Sequence, residues 1–377
     1  MQFSTIYGRE ELWQSLVRMV DQDRLGHALL FVEEEGMGAL AYALALAQYV
    51  NCTGEKQGDS CGKCLSCHKY SRLIHPDLHF VFPVAAAPFL SDKEKKAPIS
   101  DHFIDRWRKM VLENPYFNLQ QHNDALGIDS KSGLITVNEA KKIFEKLSLT
   151  SCEGEYKTMI IWLPEKMNAE ASNKLLKLLE EPPQGTLFLL VSQHPDKLLT
   201  TILSRCQIIR LLPMEQRPLA QALEDNLGIG AEDAAMLARI SGGRYGRACR
   251  IQQLQEEGDE FEQPVLDMFD AGLRHSLSDI MAVWEPLSSL GREKQKEFCI
   301  YCENYRRKRY MFACGVREIS QARQKEYENM ASLAAKLKPS FYEKAVLALD
   351  TALSSIEANV SPKLIFCDLF NRLSIYM

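Results

Sequence analysis

No apolar run in this 377-residue chain reaches the roughly 18 residues that a membrane-crossing helix needs, which excludes a helical span. The first ten residues, Met1 to Glu10, are polar and mixed, so no signal peptide is read there. These two absences predict a cytoplasmic protein with no membrane attachment. An excess of one charge is missing too. Lys and Arg total 45 against 50 Asp and Glu, a formal net charge of −5. That removes any global electrostatic drive toward nucleic acid and leaves DNA contact local or shared with partners. A paired cysteine framework is absent as well, because the count is 11, an odd number. In a cytosolic chain, clustered cysteines point to metal rather than to disulfides. Neither an internal repeat nor a low-complexity segment occurs. What remains is a folded chain of ordinary composition, 46% hydrophobic and 25% charged, long enough for two or three domains.

The first part alternates short apolar runs with helical patterns. Strands are predicted at Ala28–Val32, His79–Phe82, Met159–Leu163, Leu187–Val191 and Gln207–Leu211. Helices are predicted at Leu12–Gln22, Ala41–Val50, Val137–Leu147 and Ala169–Glu180. Such alternation implies an α/β fold with a parallel sheet covered on both faces. Asn168 is placed to cap the last of these helices and Pro182-Pro183 to stop it. Between Pro83 and Leu134 the pattern breaks. Pro88, the charged run Asp92 to Lys96, and Phe103, Trp107, Tyr116 and Phe117 read as a peripheral insertion, part loop and part helix. After Pro213 the strands stop. A small helical region with a Gly242-Gly243 turn follows, and the pattern from about Phe261 to Met377 is helical. The boundaries drawn are 1–212, 213–260 and 261–377.

The strand Ala28–Val32 leads into Glu33-Glu34-Glu35-Gly36-Met37-Gly38-Ala39-Leu40 and then an Ala- and Leu-rich helix. That is the strand–glycine turn–helix layout of a phosphate-binding loop. A working loop ends in Lys, which reaches the β- and γ-phosphates, and Ser or Thr, which holds magnesium. This chain has Ala39 and Leu40 there. Glu33 to Glu35 add negative charge where a triphosphate needs positive. Like charges about 4 Å apart repel by a few kcal/mol at an effective dielectric near 20. The expectation is a nucleotide-binding scaffold, with degenerate loop positions Gly36, Gly38, Ala39 and Leu40, that holds no ATP.

Cys52-x8-Cys61-x2-Cys64-x2-Cys67 follows the helix. Four thiols at this spacing fit a tetrahedral zinc site, and four cysteines leave no open position for water, so the zinc is structural. Gly54, Gly58 and Gly62 let the loop wrap an ion. The remaining cysteines, Cys152, Cys206, Cys249, Cys299, Cys302, Cys314 and Cys367, are scattered and read as core or surface thiols. In the basic run Arg306-Arg307-Lys308-Arg309, flanked by Tyr305 and Tyr310, a solvated or partner-facing helix surface outweighs phosphate contact. His27, Trp13 and Trp284 read as packing residues.

Three more segments complete a pattern: Tyr156 to Leu163; Asn168-Ala169-Glu170-Ala171-Ser172-Asn173-Lys174-Leu175-Leu176-Lys177-Leu178-Leu179-Glu180-Glu181-Pro182-Pro183; and Leu198 to Cys206 with its Ser204-Arg205-Cys206 step. Together they resemble the AAA+ clamp-loader family. The zinc loop after the P-loop helix resembles the bacterial DNA polymerase III clamp-loader subunits. The resemblance covers residues 1 to about 250 and is weak beyond. It implies an AAA+ P-loop core with an inserted zinc loop, a small helical lid and an all-α C-terminal collar. It also implies that Trp162 and Leu163 stand where the family has Asp-Glu, the pair that holds magnesium and orients the attacking water. Neither can do so, and Glu165 lies past the strand end. Ser192-Gln193 matches a first sensor left without a task. Arg247 matches a second sensor that ties lid to core. Arg205 matches an arginine finger directed at a neighbour's γ-phosphate.

By the same resemblance the chain is expected to lack enzyme activity alone. It would work as a stator beside gamma/tau-type ATPase subunits and a delta subunit, helping place a sliding clamp on primer-template DNA. Two other readings stay open at this point. One is an ATP-hydrolysing gamma/tau-type motor. The other is a zinc-containing AAA+-like adaptor outside replication.

Overall fold

Five short runs form strands, the central three because burial on both faces removes their apolar side chains from water; in the last only Ile209 is buried. They are β1 (Ala28–Val32), β2 (Leu78–Val81), β3 (Lys157–Trp162), β4 (Thr186–Ser192) and β5 (Gln207–Arg210). All neighbours pair in parallel, in the order β2-β3-β4-β1-β5. The computed structural model of the chain describes residues 1–128, 133–148, 151–256, 261–313, 337, 339–358 and 360–377. Its contacts divide it into two compact units, Met1–Gln252 and Gln253–Met377.

In the first unit, alternate side chains of each central strand enter different cores. Leu29, Phe31, Ile160, Trp162, Leu189 and Val191 join one. Ala28, Leu30, Met159, Ile161, Phe188 and Leu190 join the other. The first core is filled by α1 (Glu10–Asp21) and α2 (Ala39–Val50), every residue of α2 being buried. The short α3 (Leu65–Ser71) follows, and then the segment after β2: α4 (Asp92–Lys96), α5 (Ile104–Glu113) and α6 (Leu119–Leu126). The second core is covered by α7 (Val137–Ser148), α8 (Ala169–Glu180) and α9 (Thr200–Leu203). Asn168 caps α8 as expected, its side chain accepting the Ala171 N–H at 2.9 Å. Leu175, Leu178 and Leu179 are buried beneath the sheet, and each such side chain contributes about 1.5–3 kcal/mol.

The stretch between Pro83 and Leu134 is not peripheral. Phe103, Trp107, Met110, Val111 and Phe117 are buried within the same core as α2. Trp107, Met110 and Val111 share one face of α5 by helical spacing, and Phe103 and Phe117 flank that helix; large aromatics gain most from leaving water. Residues 129–132 of that stretch lie outside the described residues.

Helices α10 (Gln216–Leu227), α11 (Ala231–Ile240) and α12 (Tyr245–Glu256) follow β5; α12 runs across the division between units. Leu219, Leu223, Ala234, Leu237, Ala238 and Tyr245 form their own core with Ala41 and Tyr116.

The second unit contains α13 (Glu262–Leu273), α14 (Leu277–Ser289), α15 (Arg292–Ala313), α16 (Pro339–Glu357) and α17 (Pro362–Tyr376) around Phe269, Phe298, Phe341, Phe366 and Phe370. Trp284 packs on this core, and Trp13 on that of the first unit. The basic run does not behave as one solvated face. Arg309 is fully buried with its guanidinium over the Phe269 ring at 4.8 Å, and Arg306 donates to the Tyr342 carbonyl at 3.0 Å. Arg307 is exposed. The Lys308 side chain and Cys314 lie outside the described residues. No helix among the described residues is long and apolar enough to cross a membrane.

Candidate functional site

The loop between β1 and α2 turns on two glycines. Gly36 and Gly38 take φ of +88° and +90°, values that favour glycine, and α2 opens at Ala39. A helix N-terminus presents unpaired N–H groups and partial positive charge, which suit an anion. Here the chain supplies the anion itself. The Glu33 carboxylate turns back and accepts the Ala39 N–H at 2.8 Å. Burial pushes Glu33 up to about 7, against hydrogen bonds from the Ala39 and Gly38 N–H groups and the Gln193 side chain that favour its charge. The Glu33 carboxyl thus occupies the N-terminus of α2 and accepts its first N–H. Gln193, the sensor-like residue, is engaged with this carboxylate.

The loop is covered from two sides. A Cβ on Gly38 would collide with the Tyr116 ring, and one on Gly36 would stand 2.8 Å from the Arg247 nitrogen. Gly246 N–H donates to the Gly36 carbonyl at 2.9 Å, and Arg244 pairs with Glu34 at 3.0 Å. The tie between α12 and the loop thus runs through Gly246 and Arg244. Arg247 contributes its backbone, and its side chain is exposed.

At the end of β3, Trp162 and Leu163 are both buried. The Trp162 ring lies 4.8 Å from His122, 5.1 Å from Phe117 and 5.6 Å from Trp107. Burial pulls His122 down to about 4, so the ring is neutral near pH 7 and packs as an aromatic. Neither the Trp162 nor the Leu163 side chain offers a carboxylate. Glu165 is committed elsewhere, accepting the Gln193 and His194 N–H groups at 2.9 and 3.1 Å.

Arg205 sits between α9 and β5, a third exposed. Its guanidinium pairs with Glu180 at 2.6 Å and donates to the Thr201 carbonyl at 2.9 Å. The two motifs read separately in the sequence, Glu180-Glu181-Pro182-Pro183 and Ser204-Arg205-Cys206, therefore meet in space. His27 is exposed and its Nε2 hydrogen-bonds with the Leu179 carbonyl at 3.0 Å, a polar surface contact rather than the packing role expected.

The four cysteine sulfurs, Cys52, Cys61, Cys64 and Cys67, gather within 4.8 Å of one another. A tetrahedral zinc with bonds near 2.3 Å spaces its sulfurs by about 3.8 Å. Cys61 and Cys67 Sγ stand 3.9 Å apart, so the donor set fits that ion. Backbone N–H groups aim at the sulfurs: Lys63 and Cys64 at Cys61, and Cys67 at Cys64. The first two hold the Cys61 thiol below its usual range. Burial raises Cys64, but hydrogen bonds from Thr53 and the Cys67 N–H outweigh it and bring the thiol down to about 5. Burial raises Cys52 and Cys67. Two of the four thus favour the thiolate that a metal requires.

Sequence reading did not find the part played by Tyr116 or the inward turn of Glu33. For Tyr116 a signal existed in the aromatic density of 103–117. For Glu33 none did, because side-chain direction is not written in a charge count.

Residues 8–215 match the family model described as "DNA polymerase III, delta subunit". The DNA polymerase III subunit delta' of Bacillus subtilis is 29% identical over 248 residues, 66% of this chain and 59% of that protein. The delta' subunit of Escherichia coli is 26% identical over 243 residues, 64% of this chain and again 59% of the relative. The chain thus matches about three fifths of the length of these relatives. A DNA polymerase III gamma subunit-related protein of Thermotoga maritima superposes over 97% of this chain and 99% of its own, with TM-score 0.47 and 14% identity.

Proposed function

The chain belongs to the DNA polymerase III delta-subunit family, and from that premise we propose that it is a clamp-loader subunit that neither binds nor hydrolyses ATP. The observation that carries this reading is the Glu33 carboxylate on the Ala39 N–H, with the Tyr116 ring against the neighbouring Gly38. A triphosphate entering the loop must displace a buried carboxylate, an aromatic ring and the Gly246 backbone. It would find neither Lys nor Ser at Ala39 and Leu40, and no acid at Trp162 and Leu163. These substitutions weigh against a gamma/tau-type motor.

The chain's contribution to chemistry is then made outward. Arg205 has a permanent positive charge and forked donors suited to phosphate oxygens. In a ring it would meet the γ-phosphate held by a neighbouring ATPase subunit and stabilise charge developing in the transition state. Glu180 and the Thr201 carbonyl orient the guanidinium before that encounter. Partners on this reading are ATP-binding gamma/tau-type subunits and a delta subunit, acting on a sliding clamp and primed DNA. Cys52, Cys61, Cys64 and Cys67 would hold structural zinc, which supplies a rigid crosslink.

Native mass spectrometry of the assembled complex tests this. Rings containing this chain should carry one ATP for each motor subunit and none for it. An ATP count that includes this chain contradicts the proposal.

A further inference from the structure

The residues between the first two cysteines do more than close a metal loop. Asp59 accepts the Phe3 N–H at 3.1 Å and the Ser4 N–H at 2.9 Å. The Ser60 carbonyl accepts from the Gln2 side chain at 2.6 Å, and the Ser60 hydroxyl accepts from Gln48 at 2.8 Å. Gly62 lies against Gln2 so closely that a Cβ would stand 2.9 Å from the Gln2 side-chain Oε1. The cysteine loop thus grips residues 2–4. Phe3 is driven fully into the core, 6.0 Å from both Trp13 and Tyr49.

The other end of this strap reaches the covered phosphate loop. Tyr7 N–H donates to the Tyr116 hydroxyl at 2.7 Å. The Tyr7 ring stacks on Tyr245 at 4.4 Å, and Tyr116 meets Tyr245 at 4.9 Å. Tyr116 is the ring that covers Gly38, and Tyr245 precedes the Gly246 that bonds Gly36.

We infer that the four-cysteine loop is a metal-dependent anchor for residues 2–7, and that this strap holds Tyr116 and Tyr245 closed over the degenerate phosphate loop. The inference rests on the four cysteines binding zinc. Once the ion leaves, four thiols no longer share a centre, Asp59 and Ser60 lose their fixed positions, and the strap loses its grip at one end. Local opening then spreads along the strap to the tyrosines, because residues 3–7 link Asp59 of the cysteine loop to Tyr116 and Tyr245.

Hydrogen exchange followed by mass spectrometry on the full chain tests this, with zinc content measured alongside. Three samples are compared: the zinc-loaded protein, the same protein after chelation, and Asp59→Ala. Chelation should speed exchange in residues 3–7 and 112–118 at least tenfold, while β4 stays protected and zinc restores the starting pattern. Asp59→Ala should keep its zinc and still show the fast strap. Wild-type protein without zinc overturns the metal reading and this inference with it. Zinc present, with the strap equally protected after its removal, overturns the inference alone. Asp59→Ala with a fully protected strap also overturns it.

Discussion

Glu33 and Ala39 are joined by a hydrogen bond of 2.8 Å that places a carboxylate at the N-terminus of α2. Glu33 directly follows β1 and its N–H donates to the Ser192 carbonyl of β4 at 3.1 Å, while the Tyr116 ring closes over Gly38. An internal anion and an internal cover make the loop a finished packing unit.

This arrangement has a pH signature. Glu33 is raised from 4.5 in the unfolded chain to about 7 in the fold, chiefly by burial. The folded state therefore holds the proton more tightly. The stability this gives is fully present below about pH 4.5 and is lost as pH rises through about 7. The loss is at most on the order of 3 kcal/mol. Glu33→Gln keeps an acceptor for Ala39 without the charge. It should gain stability relative to wild type between pH 5 and pH 8 in paired thermal melts, and a difference that does not change with pH refutes the assignment.

Tyr116→Ala should destabilise the first unit by about 3 kcal/mol, the usual cost of truncating a buried aromatic. The Tyr7 N–H loses its partner as well. Urea unfolding measures this. The variant should still lack ATP affinity, because Ala39 and Leu40 are unchanged.

Arg205→Ala should leave folding almost intact, since the pair with Glu180 is partly exposed and such pairs are worth less than about 1 kcal/mol. Turnover at the neighbouring ATP site of a reconstituted ring should nonetheless fall by about 10³-fold. Unchanged single-site turnover removes Arg205 from the finger role.

Cys64→Ser should lower zinc content and melting temperature together, because binding energy at a structural zinc site is folding energy. Elemental analysis and calorimetry on the same sample measure both. Loss of the metal with an unmoved melting temperature breaks the link between them.

Much of this architecture was legible in the sequence. The five strands fall within two residues of their predicted ends; for the central three, continuous apolar runs bounded by turns have few alternatives once both faces are buried. The four cysteines were legible from spacing, since ligands two residues apart must converge on one side of a turn. Arg309 was misjudged, although its place was encoded: Phe298, Cys302, Tyr305 and Arg309 follow helical spacing and all are buried. Reading the four cations as a block hid the stripe that cuts through it. The stretch 83–134 was misplaced for a similar reason. Its prolines and charges broke the strand pattern, while the helical spacing of Phe103, Trp107, Met110 and Val111 marked a buried face. The meeting of Arg205 with Glu180 needed the fold, because 25 positions of chain and a strand separate them.

The most direct measurement is an equilibrium titration of the isolated, zinc-loaded chain with Mg-ATP, read by calorimetry, with Glu33→Ala run beside it. The account predicts no saturable binding to wild type up to millimolar ATP, and none to Glu33→Ala, since removing the internal anion restores neither Lys nor Ser. Micromolar binding of ATP by the wild-type chain, with a phosphate displacing Glu33 from the Ala39 N–H, contradicts it.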